Sequence, residues 1–193
     1  MTPTGDTASG AAALRRGGLI LTAQRALVHL VLGTRSWAYR HIEQIAAETS
    51  GKRILEIGTG PPSRDSEHVS ARPLFESKNE FIQSDVVSDF GHRVVDVTTM
   101  EFENEFDLVL CVYVLEHVYD VRAAAERIHA ALVPGGRAFI VVPTLYPYHD
   151  EPTDYWRFTE HALRELLRPF RAVRIKHRGM RRLPLALLAE ATK

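Results

Sequence analysis

The feature that most constrains this chain is the alternation of short apolar segments with amphipathic segments. Residues 107–112 and 137–142 are nearly continuous apolar runs, which is typical of strands buried on both faces of a sheet. Residues 121–132 between them repeat apolar side chains at helical spacing, and Pro134-Gly135-Gly136 is the expected end of that helix. Strands that alternate with helices predict an α/β fold, a doubly wound and mostly parallel sheet of the Rossmann type.

The same patterns predict further elements on either side of this unit. We expect strands at 53–57, 81–85, 93–97 and 172–176, and helices at 37–47, 67–77 and 163–170. Asp120 and Thr159 are the expected N-caps of two helices. Residues 183–188 look helical, so two expectations arise for the C-terminal end of the sheet. It lacks a complete β-hairpin, or a partner covers its edge.

Composition excludes several classes of protein. The 193 residues contain 24 Lys or Arg and 24 Asp or Glu, and this zero net charge argues against a dedicated nucleic-acid binder. The single cysteine, Cys111, excludes an internal disulfide framework and fits a reducing cytoplasm. Because no segment offers eighteen uninterrupted apolar residues, we expect a soluble, cytoplasmic protein without integral membrane association. Residues 1–13 are an expected disordered tail, 14–50 N-terminal covering helices, and 51–193 the main domain of a one-domain protein.

A glycine-rich loop follows the first predicted strand, in the pattern Glu56-x-Gly58-x-Gly60. Glycines here let the backbone approach a ligand closely, although a simple tight turn is the alternative. Pro61 and Pro62 remove two N–H donors where a pyrophosphate would need them, and this argues against NAD. Glu56 instead suits a cationic amino group.

Four motifs occur in order along the chain. They are Ile54-Leu-Glu-Ile-Gly-Thr-Gly60, Val114-Leu-Glu-His-Val118, the segment 132–143 around Pro-Gly-Gly, and His149-Asp-Glu-Pro-Thr-Asp-Tyr-Trp-Arg-Phe-Thr159. In these motifs the chain resembles the class I S-adenosylmethionine-dependent methyltransferases, in particular the methyltransferase type 11-like group. The resemblance covers about residues 53–170, and it implies that 51–193 is an S-adenosylmethionine-binding domain.

The resemblance also implies roles for individual residues. Glu56 would lie near the amino group of the cofactor, Asp85 would bind the ribose hydroxyls, and Asp96 would bind the adenine amino group. The full implied cofactor set is Glu56, Gly58, Thr59, Gly60, Asp85, Asp96, Val97, Cys111 and Tyr113. Asp is also a common turn residue, so Asp85 and Asp96 could instead stabilise loops.

Candidate acceptor-side residues follow the fourth and fifth predicted strands. The candidate catalytic residues are His149, His117 and Asp154, with His149 as a candidate general base and His117 as a pocket-shaping residue. The candidate substrate-binding residues are Tyr146, His149, Tyr155 and Trp156. The spacing of these histidines matches no compact ligand motif, so we expect no metal.

The functional expectation is transfer of a methyl group from S-adenosylmethionine to the oxygen, nitrogen or carbon of a small-molecule metabolite. Two alternatives stay open: another reaction on the same fold, such as a cyclisation, and a non-catalytic binding or partner subunit. We expect no nucleic-acid partner, and a homodimer or a partner protein is open.

Overall fold

The structure is a computed structural model that describes residues 33–62, 70–149 and 153–193. The predicted tail at 1–13 and the first part of the predicted covering helices, residues 14–32, lie outside the described residues and stay predictions. Contacts divide the chain into the units Met1–Arg35 and Ser36–Lys193, and the sheet belongs to the second. No helix in the described part of the chain is long and apolar enough to cross a membrane.

Four α-helices and seven strands make up the described fold. The helices are α1 (Thr34–Ala47), α2 (Arg72–Phe75), α3 (Val121–Ala131) and α4 (Glu160–Leu166). The strands are β1 (Arg53–Ile57), β2 (Glu80–Asp85), β3 (Arg93–Val94), β4 (Phe106–Val112), β5 (Leu132–Pro143), β6 (Ala172–Met180) and β7 (Leu183–Thr192), and 3₁₀ turns occur at Ser88–Phe90 and Leu115–His117.

The strands form one sheet in the order β3-β2-β1-β4-β5-β7-β6. The first five strands are parallel and β7 is antiparallel to both of its neighbours. This confirms the doubly wound, Rossmann-like sheet that the sequence predicts. The carboxyl ends of β1, β2, β4 and β5 therefore meet at one edge, where such folds bind ligands.

Two apolar clusters cover the two faces of the sheet. Alternate residues of the central strands pack against α3 and α4 on one face, where Ile128 and Leu163 are fully buried. The other alternate residues pack against α1 and Phe75. The caps form as predicted, because Asp120 accepts a hydrogen bond from the backbone N–H of Ala123 and Thr159 accepts one from Ala162.

The structure corrects the prediction for the C-terminal segment. Residues 183–188 begin strand β7, so the expected helix there is wrong and the sheet has its complete β6–β7 hairpin. Leu187 packs against one face of the sheet and Leu188 against the other. A strand buried on both faces has no polar alternation, and Leu and Ala are strong helix formers, so the local pattern imitates a helix.

Two other predicted elements differ in extent. The third strand is only Arg93–Val94, which places Asp96 in the turn that follows it. The helix expected at 67–77 is described only at Arg72–Phe75.

Candidate active site

The glycine loop after β1 is shaped by the close approach of Val114, which lies just after β4. Gly58 and Gly60 have φ of 68° and 76°, in the left-handed region that favours glycine. A Cβ atom added to Gly58 would lie less than 3.0 Å from the side chain of Val114. A hydrogen bond to β2 also holds the loop in place, since Thr59 donates its N–H to the carbonyl of Ser84 at 3.0 Å.

Glu56 is a buried carboxylate that joins two loops. It accepts hydrogen bonds from the Thr59 hydroxyl (3.1 Å), the Ser70 hydroxyl (2.5 Å) and the Ala71 N–H (2.7 Å). Burial raises the pKa of Glu56, although these donors favour its charged form. The Ala71 N–H takes one of the two acceptor positions of Oε1, so this oxygen has capacity for a cationic amino group.

Asp85 lies at the end of β2 and is also buried. Its Oδ2 accepts the N–H of Gly60 at 2.9 Å and its Oδ1 accepts the N–H of Val87 at 3.0 Å. Among the described residues each oxygen thus has one donor, and its remaining acceptor position fits a ribose hydroxyl. Asp85 thus also has the loop-stabilising role that was its alternative.

Asp96 is exposed in the turn after β3. Its Oδ1 accepts both the N–H and the hydroxyl of Thr98, at 2.8 and 2.7 Å. This is the turn-capping role typical of Asp, and Oδ2 is the oxygen that could accept an adenine amino group. Val97 is buried in the apolar cluster of the α3 face, so its side chain packs inward.

The end of β4 closes the other side of the glycine loop. Cys111 is fully buried, and this burial raises the pKa of its thiol far above the ordinary value, so it is an uncharged packing group. Tyr113 has φ of 56°, a conformation rare for a tyrosine, and donates its N–H to the carbonyl of Val141 at 2.9 Å. This bend directs the chain from β4 towards Gly58.

His117 and His149 come together from two different loops. Their ring centroids are 5.0 Å apart and nearly perpendicular. Nδ1 of His117 lies 2.5 Å from the carbonyl of Thr153, and because a carbonyl oxygen only accepts, Nδ1 carries the hydrogen of this bond. Nδ1 of His149 is 3.1 Å from Oδ2 of Asp154 but without hydrogen-bond geometry.

Asp154 and Arg157 form the anchor of the loop after β5. Two guanidinium nitrogens of Arg157 donate to the two oxygens of Asp154, at 2.5 and 2.6 Å. Arg157 also donates to the carbonyls of Tyr146, Pro147 and Trp156. Asp154 in turn accepts the backbone N–H of His149 at 3.0 Å, so this anchor determines where His149 lies.

The surroundings shift the pKa of two side chains in this cluster, Asp154 and His149. Burial opposes ionisation of Asp154, but the fork from Arg157 and the N–H of His149 hold its pKa below the ordinary value. Burial lowers the pKa of His149, and His117 and Arg157 act in the same direction while Asp154 opposes them. At neutral pH His149 is therefore uncharged and able to accept a proton, whereas Asp154 is a poor base.

Aromatic side chains surround the cluster. The ring of Tyr146 contacts His149, with centroids 5.3 Å apart. Tyr155 and Trp156 are exposed and contact Tyr119, and both donate backbone N–H groups to the carbonyl of Glu116. The candidate catalytic and substrate-binding residues thus share one edge of the sheet.

A metal site was not expected, yet three candidate ligands converge. The ligand atoms of His117, His149 and Asp154 lie within 4.8 Å of one another. Oδ2 of Asp154 already accepts two N–H donors, and Oδ1 accepts one from a cationic guanidinium. This arrangement disfavours a metal cation, so the absence of a metal stays our prediction.

Sequence analysis missed the residues that position the site. Arg157 lies in the fourth sequence motif, residues 149–159, but the sequence predicts no role for it, and it predicts none for Ser70 or Tyr119. A signal existed for Arg157, since an Arg three residues from a loop Asp can form a bidentate pair.

A cavity of about 220 Å³ lies at the opposite edge of the sheet, beside Lys52, Asp107 and Gly135, away from these groups.

The chain is similar in sequence to known methyltransferases. A sequence model of the family described as "Methyltransferase domain" matches residues 33–181. The ubiquinone biosynthesis O-methyltransferase of Azotobacter vinelandii is 27% identical over 116 residues, which are 54% of this chain and 47% of that protein. The protein of the same name from Erwinia tasmaniensis is 28% identical over 109 residues, 51% of this chain and 45% of that protein. The chain spans about half the length of the curated relatives it matches.

Solved structures show the same fold. The Burkholderia thailandensis 1,6-didemethyltoxoflavin-N1-methyltransferase, solved with 1,6-didemethyltoxoflavin and S-adenosylhomocysteine, has a TM-score of 0.61 and 24% identity, covering 100% of this chain and 92% of that chain. The N-methyltransferase NodS of Bradyrhizobium japonicum has a TM-score of 0.59 and 16% identity, covering 83% of this chain and 97% of that chain. Because the family model matches most of the chain, the chain belongs to the methyltransferase-domain family, and the solved structures share the Rossmann-like fold that its motifs predict.

Proposed function

We propose that the protein methylates a hydroxyl oxygen of a small-molecule acceptor, with His149 as the general base. The observation on which this rests is the convergence of His149, His117 and Asp154 at the carboxyl ends of β4 and β5. An uncharged histidine suits a hydroxyl, because that acceptor must lose a proton on attack. The curated relatives named O-methyltransferases support the choice of oxygen among the three acceptor atoms.

The cofactor would be held by residues of the β1, β2 and β4 ends. Glu56 has acceptor capacity for its amino group and Asp85 for its ribose hydroxyls, while Asp96 offers one oxygen to its adenine. The backbone of Gly58, Thr59 and Gly60 and the residue Tyr113 would line the remaining side. Cys111 and Val97 are buried in the apolar cluster of the α3 face, so they would support this lining from beneath rather than contact the cofactor. When bound, S-adenosylmethionine supplies an electrophilic methyl group on a sulfonium.

The chain's own residues then act on the acceptor. His149 accepts the hydroxyl proton, and the ring that becomes positively charged faces the carboxylate of Asp154 at 3.1 Å. The ring of His117 packs edge-to-face against the His149 ring, and its Nδ1–H donates to the Thr153 carbonyl. Tyr146, Tyr155 and Trp156 provide apolar walls for the acceptor. Asp154 positions His149 rather than acting as a base, because Arg157 holds the pKa of Asp154 below its ordinary value and so makes it a weak proton acceptor.

The decisive experiment measures S-adenosylhomocysteine and methylated product with a panel of phenols and a matched panel of amines. We expect turnover with phenols, and we expect His149→Asn to lower kcat by about 100-fold or more while S-adenosylmethionine still binds. Turnover confined to amines, or full activity of His149→Asn, would contradict the proposal. An altered acceptor without S-adenosylhomocysteine would favour the alternative of another reaction on this fold.

Location and assembly complete the proposal. We infer a role in small-molecule metabolism in the cytoplasm, which the buried, unpaired Cys111 supports. A homodimer or a protein partner would use the β6 edge of the sheet, where Ala172–Met180 pairs with β7 on one side only. Size-exclusion chromatography with light scattering tests the oligomeric state.

A further inference from the structure

The turn between β6 and β7 exposes apolar and basic side chains together. Met180 and Leu183 are 68% and 53% exposed, and the two residues between them, Arg181 and Arg182, are also exposed. We call Met180–Leu183 the hairpin tip. Exposed apolar residues that lie together and are rimmed by polar residues mark interaction sites more often than apolar residues scattered singly.

The hairpin tip lies at the same edge of the sheet as the candidate active site. Pro143, the last residue of β5, pairs with Ala186 of β7, so the turn before β7 extends beyond the carboxyl end of β5. Leu145, which is 50% exposed, donates its N–H to the carbonyl of Leu185 at 3.1 Å. An exposed apolar side chain of the loop after β5 therefore lies beside the tip.

The backbone holds the tip in a defined position. The strand register shifts between Arg178 and Gly179, which indicates a β-bulge. Gly179 has φ of 94°, and a Cβ atom there would lie 3.2 Å from the Leu185 side chain. Met180 and Leu183 are the last paired residues of the hairpin, so the turn between them has a defined backbone position.

The charge of the segment is strongly one-sided. Residues 166–189 contain seven Lys or Arg and no Asp or Glu. Some of these are paired outside the segment, as Lys176 is with Glu190 and Arg168 with Glu165. Within the described ranges, Arg181 and Arg182 have no carboxylate partner. The two basic groups at the tip are thus available to an anionic surface.

We propose that the hairpin tip binds the surface of an anionic lipid bilayer. The two arginines complement lipid phosphates, and Met180 and Leu183 enter the boundary between headgroups and acyl chains. An acidic protein surface would satisfy the arginines but gives no equal reason for the two flanking apolar side chains. Peripheral binding of this kind needs no membrane-spanning helix, and it turns the candidate active-site edge towards the bilayer.

The test is co-sedimentation of the full chain with vesicles of phosphatidylcholine containing phosphatidylglycerol, and with vesicles of phosphatidylcholine alone. We expect binding only to the anionic vesicles, and weaker binding as salt rises. Arg181→Gln/Arg182→Gln should lower the partition constant about 30-fold, since each basic residue near such a surface is worth about fivefold. Met180→Ser/Leu183→Ser should lower it about tenfold.

Matched controls separate the proposal from its rivals. Arg122→Gln/Arg127→Gln removes the same charge from exposed positions on α3 and should leave vesicle binding unchanged. S-adenosylmethionine binding, measured by calorimetry, verifies that each variant is folded. Equal losses in both arginine pairs, or no effect of the serine substitutions, would overturn the proposal. So would absence of binding to anionic vesicles, which would leave an acidic protein as the partner for this charge.

Discussion

Gly58→Ala tests the close approach of the glycine loop to Val114, which lies just after β4. The substitution has two separate costs, a left-handed φ of 68° for alanine and a Cβ atom closer than 3.0 Å to Val114. The backbone cost is about 1 kcal/mol and the overpacking cost about 1–3 kcal/mol, so we expect a loss of about 2–4 kcal/mol in the free energy of unfolding.

Gly91 is a matched control. It has φ of 72° but nothing within 4 Å of an added Cβ atom, so Gly91→Ala should show the backbone cost alone, about 1 kcal/mol. Val114→Ala removes the obstructing methyl groups of a partly buried side chain and should cost about 1 kcal/mol by itself. The Gly58→Ala/Val114→Ala double variant should therefore lose only about 2 kcal/mol, less than the sum of its parts.

Urea unfolding followed by circular dichroism measures all four variants under the same conditions. A coupling free energy of about 1–3 kcal/mol between Gly58 and Val114 is the expected result. If Gly58→Ala costs no more than Gly91→Ala, or if the double variant is merely additive, the close approach is absent and our account of the loop is wrong.

Three further predictions concern the acceptor side. Arg157→Lys keeps the positive charge but loses the two parallel hydrogen bonds of the guanidinium to Asp154. The kcat/KM for the acceptor should therefore fall about tenfold, while the Kd of S-adenosylmethionine stays within about twofold. A parallel loss of cofactor affinity would refute a positioning role. The acid limb of kcat/KM should lie below pH 6.5, because burial lowers the pKa of His149 from that value and activity is lost only when the ring becomes protonated; a limb above pH 6.5 would contradict this. Dialysis against EDTA followed by metal analysis should leave turnover unchanged, and loss of activity restored by a divalent cation would show that His117, His149 and Asp154 bind metal.

The central part of the fold was predictable because its signals are local. The continuous apolar runs of β4 and β5 and the amphipathic stripe of α3 identify buried strands and a crossover helix without any tertiary information. The caps at Asp120 and Thr159 were equally clear, since one side chain and the next turn determine them. The C-terminal hairpin was not predictable in this way, because pairing of β7 with β5 and β6 overrides the helix propensity of its leucines.

The candidate site also contains residues that local sequence signals predict and residues that only tertiary contacts bring together. Glu56 and Asp85 follow strand ends, and parallel topology alone places such residues together. The structure adds that both carboxylates also organise the loops around them, which spacing in the sequence does not show. The contact of His117 with His149 depends on how two loops fold against each other, and Arg157 determines that through five hydrogen bonds.

The measurement that tests the central claim most directly is calorimetric titration of the full chain with S-adenosylmethionine, with NAD as the control. We expect binding of S-adenosylmethionine in the micromolar range and no heat from NAD, since the loop after β1 ends in Pro61-Pro62 rather than in free N–H donors. Asp85→Asn should weaken the binding about tenfold or more, because a charge-assisted acceptor for the ribose is lost. Binding of NAD, or no heat from S-adenosylmethionine, would show that the edge formed by Glu56, Asp85 and the glycine loop is not the cofactor site.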